Sequence, residues 1–369
     1  MKIIQELLRK MSFGIPSPQS HRPSLNTAEQ WRAYWEAQGQ PWRKEPEIDQ
    51  QRQAALAQRR DIVPNVKQGI YPFKGVQLNR ADVEWLLATH ENGRGPVDWN
   101  DEGQRRRNGL DLRGADLRGV DLSHLPLACL CGGEHTKYEW LPVTHTLSGS
   151  AGIRLEDTNL SEAHLEGANL IYAHLERSDL SRAYLREADL RLAHLERAFL
   201  YAAHLEGTNF YRAHLDAATL NGTYLSASTK LREITLGSKQ LGFVLLSAVH
   251  WDGVDLSVVN WTQMHSLGDE YRARRRRDKS GKRKDTASRL SEYQAAVRAN
   301  RQLAVALQAQ GLNEQAARFA YRAQVLQRCV FWFEMAQQKE KLRQRGQALG
   351  AWLFSWFLFL LAGYGYKPE

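Results

Sequence analysis

Cysteine is scarce in this chain, with 3 residues among 369. So few thiols argue against a disulfide framework, and they favour a reducing compartment. The first residues, MKIIQELLRKMSFG, lack the apolar run of a secretory signal peptide. Phosphate-binding glycine loops, serine elbows and metalloprotease helices are also missing from the sequence. We therefore expect neither an enzyme nor a bound cofactor.

Acidic charge is in short supply overall, because the chain carries a formal net charge of +9. One region departs from that balance: residues 155–226 hold 11 acidic and 6 basic side chains, a net charge of −5. The basic excess lies mainly in Arg105-Arg106-Arg107 and between Arg272 and Lys284. The second basic run fits a solvated linker, an anionic membrane surface or, less well, nucleic acid, which we do not expect as a partner.

The chain does contain an unbroken repeat of five residues. Leucine recurs at every fifth position, with one phenylalanine, and Ala, Thr or Ser stands two places before each copy. The members of this ladder are Leu160, Leu165, Leu170, Leu175, Leu180, Leu185, Leu190, Leu195, Leu200, Leu205, Phe210, Leu215, Leu220 and Leu225. Between each small residue and its ladder residue, Asn or Asp alternates with His or Tyr in much of the repeat, so a longer period of ten is superimposed.

A period of five matches neither the helix nor the strand, whereas a fixed period over many copies indicates a repeat architecture. The consistent solution is a coil with four short sides, one pentapeptide on each side and about twenty residues per turn. Ladder residues and small residues then point inward, and successive coils stack at about 4.8 Å. We predict a β-solenoid of about six or seven such coils.

The units in "GANLIYAHLERSDLSRAYLREADL" resemble the pentapeptide-repeat family. That resemblance implies a right-handed quadrilateral β-helix. It implies no catalytic residue, because the predicted interior is filled by the ladder itself.

The flanks are predicted to be helical, with a capping box at Thr27 and Gln30 and an N-cap at Asn79. We divide the chain into an irregular N-terminus (1–26), a helical cap (27–105), the β-helix (106–265) with an insertion at 128–153, a basic linker (266–286), a helical hairpin (287–346) and an apolar terminal helix (347–369). The N-terminal helical cap would cover the edge strands at that end of the solenoid.

Metal binding has two weak candidates in the sequence. One is the set of four thiol and imidazole side chains in the insertion, Cys129, Cys131, His135 and His145, whose spacing fits no strong zinc pattern. The other is the column His174, His194 and His214, which one coil spacing brings together. The alternative is that these histidines are ordinary outward-facing residues. Glu166 and Glu206 are interpreted as solvated surface.

Residues 348–366 contain no charge, and their length suits a membrane span or an interfacial helix. Trp352, Trp356 and Tyr364 are candidate membrane-proximal aromatic residues, and the upstream Lys339 to Arg345 cluster would hold the β-helix on the cytoplasmic side. The alternative location is the cytoplasm itself. Gly363-Tyr364-Gly365 is similar to the GYG of potassium selectivity filters, but a filter also needs a pore helix before it and a second span after it, and the sequence ends at Glu369, so we do not expect a filter.

A closer resemblance is carried by "YPFKGVQLNRADVEWLL", "GLDLRGADL", "EQAARFAYRAQVL" and "GYGYKP". These segments resemble bacterial pentapeptide-repeat proteins that carry a C-terminal ion-channel domain, whose spans are missing here. The chain would then either lack the pore or be shortened from a longer product.

Two hypotheses follow from these features. The first is a non-enzymatic, membrane-attached scaffold or sensory region, with regulation of an ion channel or truncation from one left open. The alternative is a soluble protein-interaction module, such as a DNA-mimicking topoisomerase-binding protein. The protein partner is not identified, and homo-oligomer formation stays open.

Overall fold

The computed structural model describes residues 27–65, 68–133, 152–264, 266–278, 280–337, 349–350 and 352–354. By its contacts the chain divides after Pro46 into two compact units. The first unit is small, and its described part is residues 27–46. The second unit contains the solenoid and the helices on either side of it in sequence.

The first unit is built on helix α1 (Ala28–Ala37), which starts with the predicted capping box between Thr27 and Gln30. Trp35 is its buried residue. The Trp35 indole donates a hydrogen bond of 2.8 Å to the Glu45 carbonyl, and the Arg43 guanidinium lies 3.5 Å from the centre of the Trp35 ring. A cation against an aromatic face and a satisfied indole N–H hold this short unit together.

Helices α2 (Gln50–Arg60), α3 (Arg80–Ala88) and the short turn α4 (His90–Gly93) open the second unit. Asn79 caps α3 as predicted, and Asp82 reciprocates in a capping box. Just before α3, Gln77 pairs in parallel with Asp116 of the first coil. The Arg80 guanidinium donates hydrogen bonds to the carbonyls of Asp121 and Ser123 at 3.0 and 3.1 Å. The edge of the first coil is thereby covered, as a solenoid end requires.

The solenoid has four sides, each defined by residues that pair in parallel from one coil to the next. His174 pairs with His194 and His194 with His214, a spacing of 20 residues, as the sequence predicts. Side 1 contains Asp111, Cys131, Asn169, Asp189, Asn209 and Lys230; side 2 contains Asp116, Arg154, His174, His194, His214 and Thr235; side 3 contains Asp121, Asn159, Asp179, Phe199, Thr219 and Leu245; side 4 contains Pro126, His164, Tyr184, His204, Tyr224 and His250. Among the described residues, sides 1, 3 and 4 thus have six paired levels and side 2 has a seventh at Gln77, within the range of coils expected.

Most of the described corners are tight turns that follow the ladder residue. In the turn from Leu160 to Ala163, the Ala163 N–H donates to the Leu160 carbonyl at 3.1 Å and Glu162 has a φ of +57°. Type II turns require this positive φ at their third residue. The same geometry recurs at Arg177 and Arg182, so the coil holds many non-glycine residues in a left-handed conformation. The regular pairing on both sides of each corner enforces it.

Because of the ten-residue period, opposite sides of the coil carry the same kind of outward side chain and adjacent sides carry different kinds. On sides 1 and 3 the paired residue is often Asn or Asp, whose side chain accepts from the backbone N–H two residues ahead, as in Asn159 to Ser161 at 3.0 Å. On sides 2 and 4 that position is often His or Tyr, and the rings stack from coil to coil. The fourteen ladder residues are at most 5% exposed.

The insertion is shorter than predicted. Cys131 pairs with Asn169, and the Ile153 N–H donates to the Gly132 carbonyl at 2.8 Å, so both ends belong to the coil. The spacing between paired residues rises from 20 to 38 where Asp116 meets Arg154, which leaves 18 additional residues. A Cβ on Gly133 or Gly152 would overlap with the backbone of Ile171 or Tyr172, so these glycines permit the close approach at that corner.

Regular strands appear only toward the end of the described solenoid. Strand β1 (Tyr224–Ser226) pairs in parallel with β4 (His250–Asp252), and β2 (Gly237–Ser238) forms an antiparallel pair with β3 (Gly242–Phe243). A 3-10 turn at Trp261–Gln263 follows.

Helices α5 (Gly268–Arg274), α6 (Thr286–Ala309) and α7 (Asn313–Gln337) follow the solenoid. The break between α6 and α7 at Gly311 is as predicted. The segment 266–286, expected to be a linker, is instead folded: it contains α5 and an antiparallel bridge between Arg277 and Arg283. The segment is held against the solenoid because the Asp269 carboxylate accepts a hydrogen bond of 2.7 Å from the Leu246 N–H.

Side chains of α6 and of its C-cap residue Gln310 complete the last turns of the solenoid. The Gln310 amide accepts from the Leu256 N–H at 2.8 Å and donates to the Val254 carbonyl at 2.6 Å, much as a neighbouring strand would. Gln302 accepts from the Ala248 N–H at 2.9 Å. Buried backbone groups need such partners, so this end too is covered.

The predicted terminal helix falls mostly outside the described residues. Residues 349–350 and 352–354 are helical. In the part of the chain that the structure describes, no helix is long and apolar enough to cross a membrane.

Candidate functional site

A His-Leu-Glu triplet recurs on the two sides that carry aromatic residues, at residues 164–166, 174–176, 194–196 and 204–206. The leucine of each triplet points inward, and the turn that follows places the histidine and the glutamate side by side on the outer surface. The backbone of the histidine is fixed from both directions, since the His194 N–H donates to Ala173 and its carbonyl accepts from Leu175. The fold therefore sets the positions of the imidazole and the carboxylate.

Side 2 carries these groups on consecutive coils. We call this set the side-2 strip: Arg154, Glu156, His174, Glu176, His194, Glu196, His214 and Asp216. The His174 and His194 ring centroids are 5.1 Å apart with planes inclined by 3°, and those of His194 and His214 are 5.0 Å apart. In each of two rungs the imidazole Nδ1 pairs with its own glutamate Oε1, at 3.3 Å in His174–Glu176 and 3.4 Å in His194–Glu196.

The carboxylates of the side-2 strip are partly withdrawn from water. The Oε2 atoms of Glu156, Glu176 and Glu196 are buried and have no hydrogen-bond partner among the described residues. Burial acts to raise the pKa of Glu176 and Glu196, but the histidine hydrogen bond and the backbone N–H of each glutamate outweigh it and lower the pKa. The same hydrogen bond from Glu196 raises the pKa of His194. These shifts favour the charged forms of Glu176, Glu196 and His194.

The carboxylates at the two ends of the strip have different hydrogen-bond donors. Arg154 donates to Glu156 Oε1 at 2.9 Å, and the Thr235 hydroxyl donates to Asp216 at 2.6 Å. Between these ends, two overlapping sets bring their ligand-type atoms within 4.8 Å of one another: Glu156 with His174 and Glu176, and Glu176 with His194 and Glu196. Glu176 belongs to both sets.

Side 4 has a longer stack but a different charge pattern. Five rings alternate, His164, Tyr184, His204, Tyr224 and His250, with centroids 4.5 to 5.0 Å apart. At the level between the two His–Glu pairs, Arg186 stands in the place of a glutamate, and its Nε is 3.8 Å from Glu206 Oε2. The side-4 stack therefore contains a permanent cation beside a carboxylate.

The prediction that Glu166 and Glu206 are solvated surface is wrong for Glu166, which is 4% exposed. Its Oε1 lies 3.1 Å from His164 Nδ1, and its Oε2 is buried without a partner among the described residues. The Glu166 hydrogen bond also raises the pKa of His164. The Trp99 ring packs over the adjacent Gly167, where a Cβ would overlap with it. A tryptophan from the loop after α4 thus covers this corner.

The two cysteines of the first candidate metal set lie on the coil, not on a loop. Burial raises the pKa of the Cys131 thiol to about 11, and it also raises that of Cys129. Zinc binds the thiolate, so these thiols are poorly prepared as ligands. His135 and His145 lie outside the described residues. So do Trp356 and Tyr364, while Trp352 lies in the short described helical stretch.

Comparison with known protein families identifies the repeat region. The family model for pentapeptide repeats matches residues 158–197 and 193–229, with eight copies. Residues 158–229 are pentapeptide repeats. The parallel pairing from coil to coil confirms the four-sided β-helix that the sequence predicts.

Solved pentapeptide-repeat structures are similar to part of the chain. HetL from the cyanobacterium Nostoc sp. strain PCC 7120 is 24% identical, with a TM-score of 0.35, over 47% of this chain and 59% of HetL. Rfr23 from the cyanobacterium Cyanothece 51142 is 26% identical, with a TM-score of 0.22, over 38% of this chain and 91% of Rfr23. Full-length QnrB1, a plasmid-mediated fluoroquinolone resistance protein, is 15% identical, with a TM-score of 0.19, over 41% of this chain and 76% of QnrB1.

No curated protein matches the chain. The match to HetL spans less than two thirds of that protein. The closer resemblance to pentapeptide-repeat proteins with a channel domain is not tested by these comparisons, and it stays a prediction.

Sequence reasoning identified the histidine column but missed its carboxylates. Glu156, Glu176 and Glu196 complete the side-2 strip, and the available signal was the His-Leu-Glu triplet itself. On a coil of twenty residues, the triplets that begin at 174 and 194 fall on one side. The row of His–Glu pairs is therefore visible only when the triplet and the coil period are considered together.

Proposed function

We propose that this chain is a non-enzymatic scaffold whose pentapeptide-repeat β-helix binds a protein partner on side 3. The interior is filled by the ladder residues, so binding falls to the outer surface. The carrying observation is the pair Phe199 and Tyr201, which are 39% and 52% exposed on side 3. Aromatic side chains surrounded by polar ones are typical of the anchors of protein interfaces.

Phe199 occupies a side-3 position that holds an aspartate in the preceding coil. In the preceding coil the equivalent pair is Asp179 and Ser181, where the carboxylate accepts from the Ser181 N–H at 2.9 Å. A phenylalanine cannot make that bond, so the sequence gives up a local stabilising contact and exposes an aromatic ring. Such a departure from the local rule supports a binding role.

The test replaces both aromatic residues with the pair found one coil earlier. The full-length chain with Phe199→Asp and Tyr201→Ser should keep its urea midpoint, because it restores the hydrogen bond of the preceding coil. A photo-reactive cross-linker at Asn221, on the same side, should capture a defined protein from lysate of the source organism with the wild-type chain but not with this variant. Tyr211→Ser on side 1 is the matched control and should leave capture unchanged. Equal capture by the double variant would refute this surface.

Membrane attachment is the finer form of this proposal, and exposed apolar residues favour it. Trp332, Leu353 and Phe354 are 58%, 54% and 60% exposed. We expect the full chain to float with vesicles that contain anionic lipid, and a chain without residues 347–369 to remain unbound. Flotation of both chains, or of neither, would contradict attachment through this segment.

DNA mimicry is the second candidate, favoured by the column of carboxylates Glu156, Glu176, Glu196 and Asp216 on side 2. A mimic of this kind should inhibit supercoiling by DNA gyrase, and Glu176→Gln with Glu196→Gln should relieve the inhibition. Supercoiling that proceeds at the same rate with and without the wild-type protein would exclude this candidate.

A further inference from the structure

We propose that the side-2 strip binds divalent transition-metal ions of the zinc type at two neighbouring sites that share the Glu176 carboxylate. One site would use Glu156, His174 and Glu176, and the other would use Glu176, His194 and Glu196. This inference does not depend on the scaffold proposal, whose binding surface is side 3; it shares carboxylates with the DNA-mimic candidate, but zinc binding is measured separately from gyrase inhibition.

The spacing of the paired atoms supports a chelate. Two ligand atoms at about 2.0–2.1 Å from a tetrahedral zinc ion lie about 3.3–3.4 Å from each other. His174 Nδ1 and Glu176 Oε1 are 3.3 Å apart, and His194 Nδ1 and Glu196 Oε1 are 3.4 Å apart. These separations are at or beyond the upper end of ordinary N–H···O hydrogen bonds, about 2.7–3.2 Å. The fold therefore holds each pair at the spacing of two zinc ligands.

A third ligand comes from the preceding coil. Because the coils stack in register, Glu156 reaches the His174–Glu176 pair, and Glu176 reaches the His194–Glu196 pair, with the ligand atoms of each set within 4.8 Å of one another. Small side-chain rotations would bring the three ligand atoms of each set around one ion. The position that faces solvent would then be taken by water. Imidazole and carboxylate are ligands that zinc accepts together.

The strip also contains buried carboxylate oxygens without a partner, a feature that Glu166 and Glu206 share on side 4, so side 2 is distinguished by stacking such carboxylates on consecutive coils without an intervening guanidinium. The Oε2 atoms of Glu156, Glu176 and Glu196 are all buried and lack a hydrogen bond among the described residues. Buried carboxylate oxygens normally have a partner, since leaving them without one is costly. A metal ion held between successive coils would supply that partner, and Glu176 can serve two ions because it has two oxygens.

Side 4 provides an internal contrast with the same coil geometry. His204 Nδ1 and Glu206 Oε1 are 3.4 Å apart, as on side 2. On the preceding coil, however, the corresponding residues are Tyr184 and Arg186, and Arg186 approaches Glu206 to 3.8 Å. A guanidinium beside the carboxylate repels a divalent cation and cannot act as its ligand. The proposal therefore assigns metal to side 2 and none to side 4.

The experiment measures Zn²⁺ binding to the full-length chain by equilibrium dialysis after removal of metal with a chelator. The wild type should bind about two ions through this strip, on the count of three ligands per site. His174→Ala combined with His194→Ala should remove both, and His204→Ala on side 4 should remove neither. Circular dichroism verifies that each variant is folded.

Two further variants make the outcome specific. Glu176→Gln, which keeps the histidine stack, should weaken both sites by more than the roughly 10- to 100-fold typical of losing a second-shell contact. Cys129→Ser with Cys131→Ser should leave the two ions in place. The proposal is overturned if the double histidine variant binds as much zinc as the wild type, if His204→Ala removes an equal amount, or if Glu176→Gln removes only one ion.

Discussion

The imidazoles of His174 and His194 lie face to face across one coil of the β-helix, 5.1 Å apart and inclined by 3°. Each is paired with a glutamate of its own coil, so the fold places two potential cations next to each other and compensates each with an anion. The pairing, rather than the stacking alone, decides how this surface responds to pH.

Stability should be greatest in a window between the ordinary pKa values of glutamate and histidine, 4.5 and 6.5. The pKa of His194 is raised by folding, so its contribution is complete below 6.5 and is lost as the pH rises through the folded value. The pKa of Glu196 is lowered, so its contribution is complete above 4.5 and is lost as the pH falls through the folded value. Urea midpoints from pH 4 to 8, measured with a chelator present, test this window.

The matched variants for that experiment are His194→Gln and His124→Gln. The first should flatten the decline above the window, whereas the second should not, because the His124 side chain is 62% exposed and water screens its pair with Glu162. An identical pH profile for wild type and His194→Gln would contradict this account.

The ladder should dominate the stability of the solenoid. Leu185 is fully buried in the column that contains Leu165 and Leu205. Leu185→Ala should lower the free energy of unfolding by about 2–5 kcal/mol, because it removes buried methyl groups and leaves a cavity between two coils. Urea denaturation gives the value. Leu241→Ala, at a residue 41% exposed, should stay within about 0.5 kcal/mol.

Gly167 should tolerate alanine less well than Gly207 does, although both occupy the same corner of the β-helix, two coils apart. Their φ values are +63° and +73°, so the cost of a left-handed alanine, about 1–2 kcal/mol, is shared. Only at Gly167 does the new Cβ collide with Trp99, whereas at Gly207 the nearest atom is Glu187 Cγ at 3.3 Å. A thermodynamic cycle with Trp99→Ala isolates the collision. If Trp99→Ala does not reduce the extra cost of Gly167→Ala, the packing explanation fails.

Arg80 should contribute to the free energy of unfolding through its ion pair with Glu84, as well as through its hydrogen bonds to backbone carbonyls. The two side chains are 7% and 0% exposed and form an ion pair of 2.7 Å. Arg80→Met should lower the free energy of unfolding by about 3–5 kcal/mol, because it leaves a buried carboxylate without its cation. Adding Glu84→Leu should recover part of that loss. Urea denaturation of the single and double variants decides this, and no recovery would locate the effect in the lost carbonyl contacts instead.

The solenoid could be predicted from the sequence because its determinants are local and repeated. Leu185 has the same surroundings as Leu165 and Leu205, so one rule covers every coil. Helix boundaries were also accessible where a side chain marks them, as Asn79 and Gly311 do. The contributions of Gln310 and Asp269 were not accessible, because each acts on backbone atoms that lie far away in sequence and no period marks them.

The side-2 strip was predictable only in part for a related reason. The coil period aligns His174 with His194, so their proximity follows from the sequence. The burial of Glu176 Oε2 depends on how the side chain folds back against its own backbone and histidine, which a repeat pattern does not specify. Glu166 is buried because Trp99 packs over the adjacent Gly167, and that contact depends on a loop outside the repeat.

The corner between Gly133 and Gly152 carries 18 additional residues while the pairing of Asp116 with Arg154 and of Cys131 with Asn169 stays in register. A segment can therefore be lengthened, shortened or exchanged at this corner without changing the phase of any later coil. For protein engineering this makes the corner a ready acceptor for foreign peptides. In evolution it would allow a new recognition element to be tried while the remainder of the rod is conserved.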